Sequence, residues 1–282
     1  MNSKLLVIAK RDFIEAARSR LLWGAVLVLL VVTIPDYLGM INGDLVRSMQ
    51  QAVRFMPMVF QYFIAPIAMI TAYKAVVGER ESGSLRILFG HPATRRDFVL
   101  GKLISRSALL VIILSIATLG LGIVTMITYG SLDIPLFGAI LGYIALYGVV
   151  WAGITVGISA AASSRLQAIT GVLGLFLFFG PFQLWNRLAL PVFSLLFTGS
   201  TSMSGINSLR PSTWPVWYQY VLRLNPMSNF VEGRIYLDRL IDPAVPASGH
   251  HMVNLFGWAV LIAWCVVPVL LGYWRFERAD FG

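Results

Sequence analysis

The sequence predicts an all-α polytopic membrane protein with six transmembrane helices, and three observations carry that prediction. Hydrophobic residues make up 57% of the 282 and charged residues only 12%, about half of what a soluble domain carries. Several apolar runs approach or exceed the roughly 20 residues needed to cross a bilayer. Between the second and third of these runs lies one polar, basic segment, Lys74 to Arg106, with seven Lys or Arg against three acids.

Residues 2–20 read as an amphipathic helix. Lys4, Arg11, Glu15 and Arg18 recur at spacings that place them on one face, with Leu6, Ala9, Phe13 and Ala17 opposite. The stretch is charged along its length and has no small-residue cleavage site, so it is not a cleaved signal peptide. Followed directly by a span, it fits a helix lying along the cytoplasmic interface; the plainer alternative is a helical extension of the first span. The six spans fall at residues 21–41, 55–77, 103–129, 136–162, 167–187 and 253–274, within one transmembrane domain over residues 1–282. Pro57 and Pro66 lie inside the second and mark kinks. In the fourth, Gly138 and Gly142, and again Gly153 and Gly157, stand four apart. That spacing lets helices approach closely in lipid, within one bundle or between two copies.

Residues 188–252 read as an outer segment. Leu188–Phe197 is apolar but too short to span, so it is re-entrant, interfacial or the end of one overlong helix. Trp214, Trp217, Tyr218 and Tyr220 form an aromatic cluster of the kind that sits at headgroup level. Pro226 and the residues after it suit a short helix.

Orientation follows from the basic residues. With the N-terminus cytoplasmic, fifteen of the 22 Lys and Arg residues fall on that side, and six spans leave both ends there. The same rule accounts for the net charge of +9 as topology. No basic stripe is interleaved with exposed aromatics, which excludes nucleic acid as a partner. The lone cysteine, Cys265, lies in an apolar run, and the three histidines lack ligands at metal-site spacing. Gly101-Lys102 is not part of a Walker A motif, and no G-x-S-x-G or HExxH occurs. Span interiors carry almost no charge and show no internal repeat, against an ion-coupled transporter. The chain is therefore expected to be no enzyme and to bind no cofactor, with any energy supplied by another protein.

The punctuation of the polar segment is more informative than its charge. Gly83 breaks the helix leaving span two, Ser84 suits the N-cap of a short helix Leu85–Phe89, Gly90 suits its end, and Pro92 blocks continuation. Thr94 followed by Asp97 makes a capping-box start for the next helix. From Arg95 to Tyr129 is 35 residues, about 52 Å of helix against a hydrocarbon core of about 30 Å. The start of span three must therefore protrude. A short crosswise helix held out with Leu85, Ile87, Leu88 and Phe89 at its tip implies a docking partner; the alternative is a loop packed on its own bundle.

These residues resemble a family. The stretch from Ala72 to Lys102 is similar to the region between spans two and three of ABC-2 type transporter permeases. There an E-x-E-x-G-S/T-L element, here Glu79 to Leu85, is followed by P-x-x-R, here Pro92 to Arg95, and by G-K, here Gly101-Lys102. A-Y-x-A-x-V-G-E at Ala72–Glu79 is most similar to the subgroup containing the nitrous-oxide-reductase maturation permease. The resemblance implies a homodimeric permease in the cytoplasmic membrane, each copy docked on a separate ATPase subunit that holds ATP and Mg. Residues 83–92 would be the coupling helix. The docking region would comprise Glu79, Arg80, Glu81, Gly83, Ser84, Leu85, Leu88, Phe89, Pro92, Arg95 and Arg96. Residues 2–20 would be a connecting helix contributing Arg11, Phe13, Glu15 and Arg18. Export is the implied function. An ATPase-linked mechanotransmitter acting on an extracytoplasmic accessory protein, without moving a solute, and a stand-alone membrane scaffold are the alternatives.

Overall fold

The computed structural model describes residues 3–43, 46–83, 94–202, 214–242 and 250–278, and every regular element among them is helical. In order they are α1 (Ser3–Ala17), α2 (Arg20–Ile41), α3 (Met49–Phe60), α4 (Ile64–Ala72), α5 (Val77–Glu81), α6 (Arg95–Tyr129), α7 (Ile134–Ala161) and α8 (Arg165–Phe179). A π-helical turn (Trp185–Ala189) leads into α9 (Leu190–Thr198), followed by α10 (Val216–Leu224), α11 (Pro226–Ile241) and α12 (His251–Glu277). Of the segment expected as a coupling helix, Ser84, Leu85, Leu88, Phe89 and Pro92 lie outside the described residues.

Among the described residues four helices, α2, α6, α7 and α12, are long and apolar enough to cross a membrane, or five if α3 with α4 and α5 counts as one bent span. Three of them, α2, α7 and α12, overlap the expected spans one, four and six to within a few residues, and α6 ends with expected span three at Tyr129 but begins at Arg95 rather than residue 103. Their outward side chains are apolar, such as Leu27, Val28 and Val31 on α2 and Ile123 and Ile127 on α6. The other two spans differ from expectation. The second begins at Met49 rather than residue 55 and bends by 48° at a break over residues 61–63. Pro66 is the third residue of α4 and has no N–H to give the carbonyl of Tyr62, so the helix cannot run through. The fifth, expected at 167–187, stops at Phe179 after 15 residues. Gly180 and Pro181 end it, and Gln183 turns the chain with a positive φ of 49°. Leu188–Phe197 is then helical, shared between the π-helical turn and α9.

The chain divides into two compact units, residues 1–173 with 264–282, and residues 174–263. In the first, α6 is the central post, packing on α7, on α1 and on α2. A buried hydrogen bond of 2.7 Å between the Tyr37 and Thr125 hydroxyls ties α2 to α6. α7 lies backbone to backbone against the last part of α12. Gly153 meets Cys265, and Gly157 meets Pro268 and Gly272, so closely that a Cβ at any of these glycines would strike main-chain atoms. One of the small-residue pairs of α7 is thus used inside the chain, whereas Gly138 and Gly142 face open space.

The second unit is held by aromatic and amide side chains. Trp185, Phe193, Phe197, Trp217, Tyr218 and Trp214 form a continuous run with successive ring centroids 5.3–6.4 Å apart. Asn225 caps α11 by accepting from the backbone N–H groups of Met227 and Ser228, with Pro226 at the first helical position. Its amide also donates to the Phe179 carbonyl at 3.0 Å, closing the end of α8. Buried Arg223 donates to the Asn254 side chain, and Asn229 to the Gly257 carbonyl.

Candidate functional site

The two flanks of the polar segment meet at the ends of the spans. Between α4 and α5 the helical ladder fails over residues 73–76. Ser159 of α7, fully buried, accepts from the N–H groups of Val76 and Val77 at 3.1 and 3.2 Å. On the other side of the break, Arg106 Nη1 donates to the Thr71 carbonyl at 2.8 Å. An interrupted helix near the bilayer persists only where its freed groups find such partners.

Arg106 also belongs to an ion-paired node that joins three helices. Asp12 of α1 accepts from Lys102 Nζ at 2.6 Å and from Arg106 Nη2 at 2.8 Å, and Lys102 reaches Glu79 of α5 at 2.8 Å. The close approach of α1 requires Gly101, where a Cβ would lie 2.8 Å from the Ile8 methyl. Burial pushes the Asp12 carboxyl up, but Arg106 and Lys102 outweigh it and hold its pKa below the usual 3.8. Asp12 is therefore a carboxylate, and the node is a chain of alternating charges.

The neighbouring motif residues fasten helix ends to this node. Arg80 donates to the Ala162 carbonyl, just past α7, at 2.7 Å. Glu81 accepts from the Arg165 backbone N–H and pairs with its Nε, both at 2.7 Å, placing a negative charge at the start of α8. Arg95 donates to the carbonyls of Phe276 and Glu277 at 2.9 and 2.6 Å, closing the C-terminus of α12. The Arg80 and Arg95 guanidinium groups lie 5.8 and 5.9 Å from the centroid of the Phe276 ring, which stacks on Phe98 at 6.0 Å. Burial, and then the nearby Arg275 and Arg95, lower the Arg80 pKa. Carbonyls at helix C-termini offset that crowding of cations. Thr94 and Asp97 form the expected capping box, the Thr94 hydroxyl accepting from the Asp97 N–H at 3.1 Å. Gly83 has a φ of +74°, a left-handed turn that ends α5.

The structure thus gives Glu79, Arg80, Glu81 and Arg95 each a tertiary partner on a neighbouring helix or just past its end, while Arg96 is exposed on the first turn of α6. Arg11 and Glu15 in α1, and Arg18 just after it, are exposed as expected, and Phe13 is half-buried. The packed face differs from expectation: it is Leu5, Ala9 and Asp12, and Leu6 is 44% exposed. The carboxylate draws that face toward the cations of α6. Asp12, Arg106 and Ser159, and the pairing role of Lys102, are the residues that sequence reasoning missed. One signal was present. Asp12 continues the i, i+4, i+7 stripe of Leu5 and Ala9, where an acid is out of place without a partner.

Fold and site together define a polytopic helical membrane protein whose span ends are locked by a motif-encoded charge network. The family model described as ABC-2 family transporter protein matches residues 6–281. The chain belongs to that family and is a permease-type ABC transporter subunit. It is 26% identical, over 282 aligned positions, to a protein of Stutzerimonas stutzeri described as probable ABC transporter permease protein NosY, covering 96% of this chain and 97% of that one. It is 28% identical over 179 positions to the protein of the same description from Pseudomonas aeruginosa; that match covers 61% of this chain and 65% of the relative's length.

Proposed function

We propose that this chain is the permease half of an ATP-driven exporter, acting as two copies, each docked on a separate ATPase subunit that binds ATP and Mg. In this reading the whole chain is one transmembrane domain of six spans in the cytoplasmic membrane, with both termini on the cytoplasmic side. Residues 83–92 are the coupling helix, α1 is the connecting helix beside it, and spans two and five line the path.

One observation carries the reading. The segment 84–93 leaves the end of α5 and returns at the start of α6, and the Glu79–Lys102–Asp12 pairs tie those two ends and α1 together. A displacement delivered to residues 83–92 would therefore move α1, α5 and the protruding end of α6 as one body. Span two is interrupted at 61–63 and at 73–76.

The test is co-expression of the chain with its ATPase, tag purification, and assay of ATP hydrolysis and transport. Leu88→Asp is expected to insert normally but to retain the ATPase roughly tenfold less well, or to uncouple hydrolysis from transport. An L88D protein that retains its ATPase and its coupling would sink the proposal.

A further inference from the structure

Beside the node, where α1, α2, α4 and α5 converge on α6, lies a half-open pocket of about 560 Å³. Its charge is unevenly satisfied. Asp12 and Glu79 are neutralised by Lys102 and Arg106. Arg11 and Lys74 line the pocket, are exposed, and have no polar or ionic partner among the described residues. Arg106 spends both terminal nitrogens on Asp12 and Thr71, and its buried Nε has no hydrogen-bond partner. Glu15 is the acid left to balance these cations.

The lining also holds aliphatic side chains. Leu22, in the first turn of α2, and the exposed Ile70, four residues before Lys74, line the same pocket. The pocket therefore sits at the depth where the apolar spans give way to their charged ends. Exposed cations and aliphatic side chains lining one pocket match an anion that carries acyl chains, and a free phosphate would have no use for Leu22 and Ile70.

We infer that this pocket binds the phosphate of an anionic phospholipid from the leaflet on the α1 side. The phosphate sits between Arg11 and Lys74, with the ion-paired Arg106 behind them, and the chains run beside Leu22 and Ile70. The inference does not depend on export or on any ATPase.

The experiment is a native mass-spectrometric titration of the delipidated full chain in detergent. Three probes are compared: phosphatidylglycerol, phosphatidylcholine and soluble sn-glycerol 3-phosphate. Phosphatidylglycerol is expected to bind in preference to the other two. The double variant R11Q/K74Q is expected to weaken it roughly 30-fold, about fivefold per charge. Both residues are exposed, and an unchanged thermal unfolding midpoint shows that the variant is folded. The charge-matched control K10Q/R18Q removes two cations, one in α1 and one just past its end, that lie outside the pocket and is expected to change binding less than about twofold. Equal losses in the two doubles would reduce the effect to diffuse surface charge and overturn the inference. So would undiminished phosphatidylglycerol binding by R11Q/K74Q, or glycerol phosphate bound as tightly as the lipid.

Discussion

Burying the Asp12 carboxylate on the packed face of α1 sacrifices hydration that Lys102 and Arg106 chiefly return. Removing the acid leaves Lys102 to Glu79 and Arg106 to the Thr71 carbonyl, so Asp12→Asn should cost about 1–3 kcal/mol, read from denaturant unfolding in detergent. The pH dependence has a definite sign. The folded-state pKa of Asp12 is depressed below 3.8, so its contribution is fully present above that value and is lost as pH falls through the folded-state pKa. The native protein should therefore lose stability on acidification below about pH 4, and D12N should lose less over the same interval. Equal acid slopes in the two proteins would place the acid sensitivity elsewhere.

Span two is the element whose shape departs most from an unbroken helix. Its two prolines were visible, but the break falls at 61–63 because a proline withholds its donor from the residue four positions earlier. The second interruption, at 73–76, has no proline and exists because Ser159 and Arg106 satisfy the backbone groups it frees. Ser159→Ala would leave the Val76 and Val77 amides buried without a partner. The expected loss is about 1–3 kcal/mol, with faster hydrogen exchange at those two amides and little change elsewhere. Unaltered exchange there would mean that the break does not need the serine. The fifth span ends early for a different reason: the Gly180-Pro181 pair sits inside an apolar run, where run length alone reads through it.

At the scale of the whole molecule, α7 presents two small-residue surfaces with opposite uses. Gly157 lies against the main chain at Pro268 and Gly272, so Gly157→Leu has no flexible side chain to displace. It should cost about 3 kcal/mol or more and yield a misassembled chain in size-exclusion chromatography. Gly142 faces open space, so Gly142→Leu should leave the unfolding midpoint of the single chain unchanged. Light scattering then reads self-association directly: a lower molar mass for G142L would place the second copy on that face, and an unchanged mass would exclude it.

The sequence by itself determined the class, the family, the approximate position of four apolar helices long enough to span, the 35-residue length of α6 and its Thr94–Asp97 capping box. All of these depend on hydrophobic run length or on contacts within a few residues, which lie side by side in the chain. Only the tertiary structure decided that Lys102 answers both Asp12, 90 residues away, and Glu79, that Ser159 mends a break 83 residues distant, and that Gly157 belongs to α12. No local pattern encodes those choices. Each is made when helices pack and a buried charge, or a freed backbone group, must be matched by whatever the neighbouring helix carries at that height.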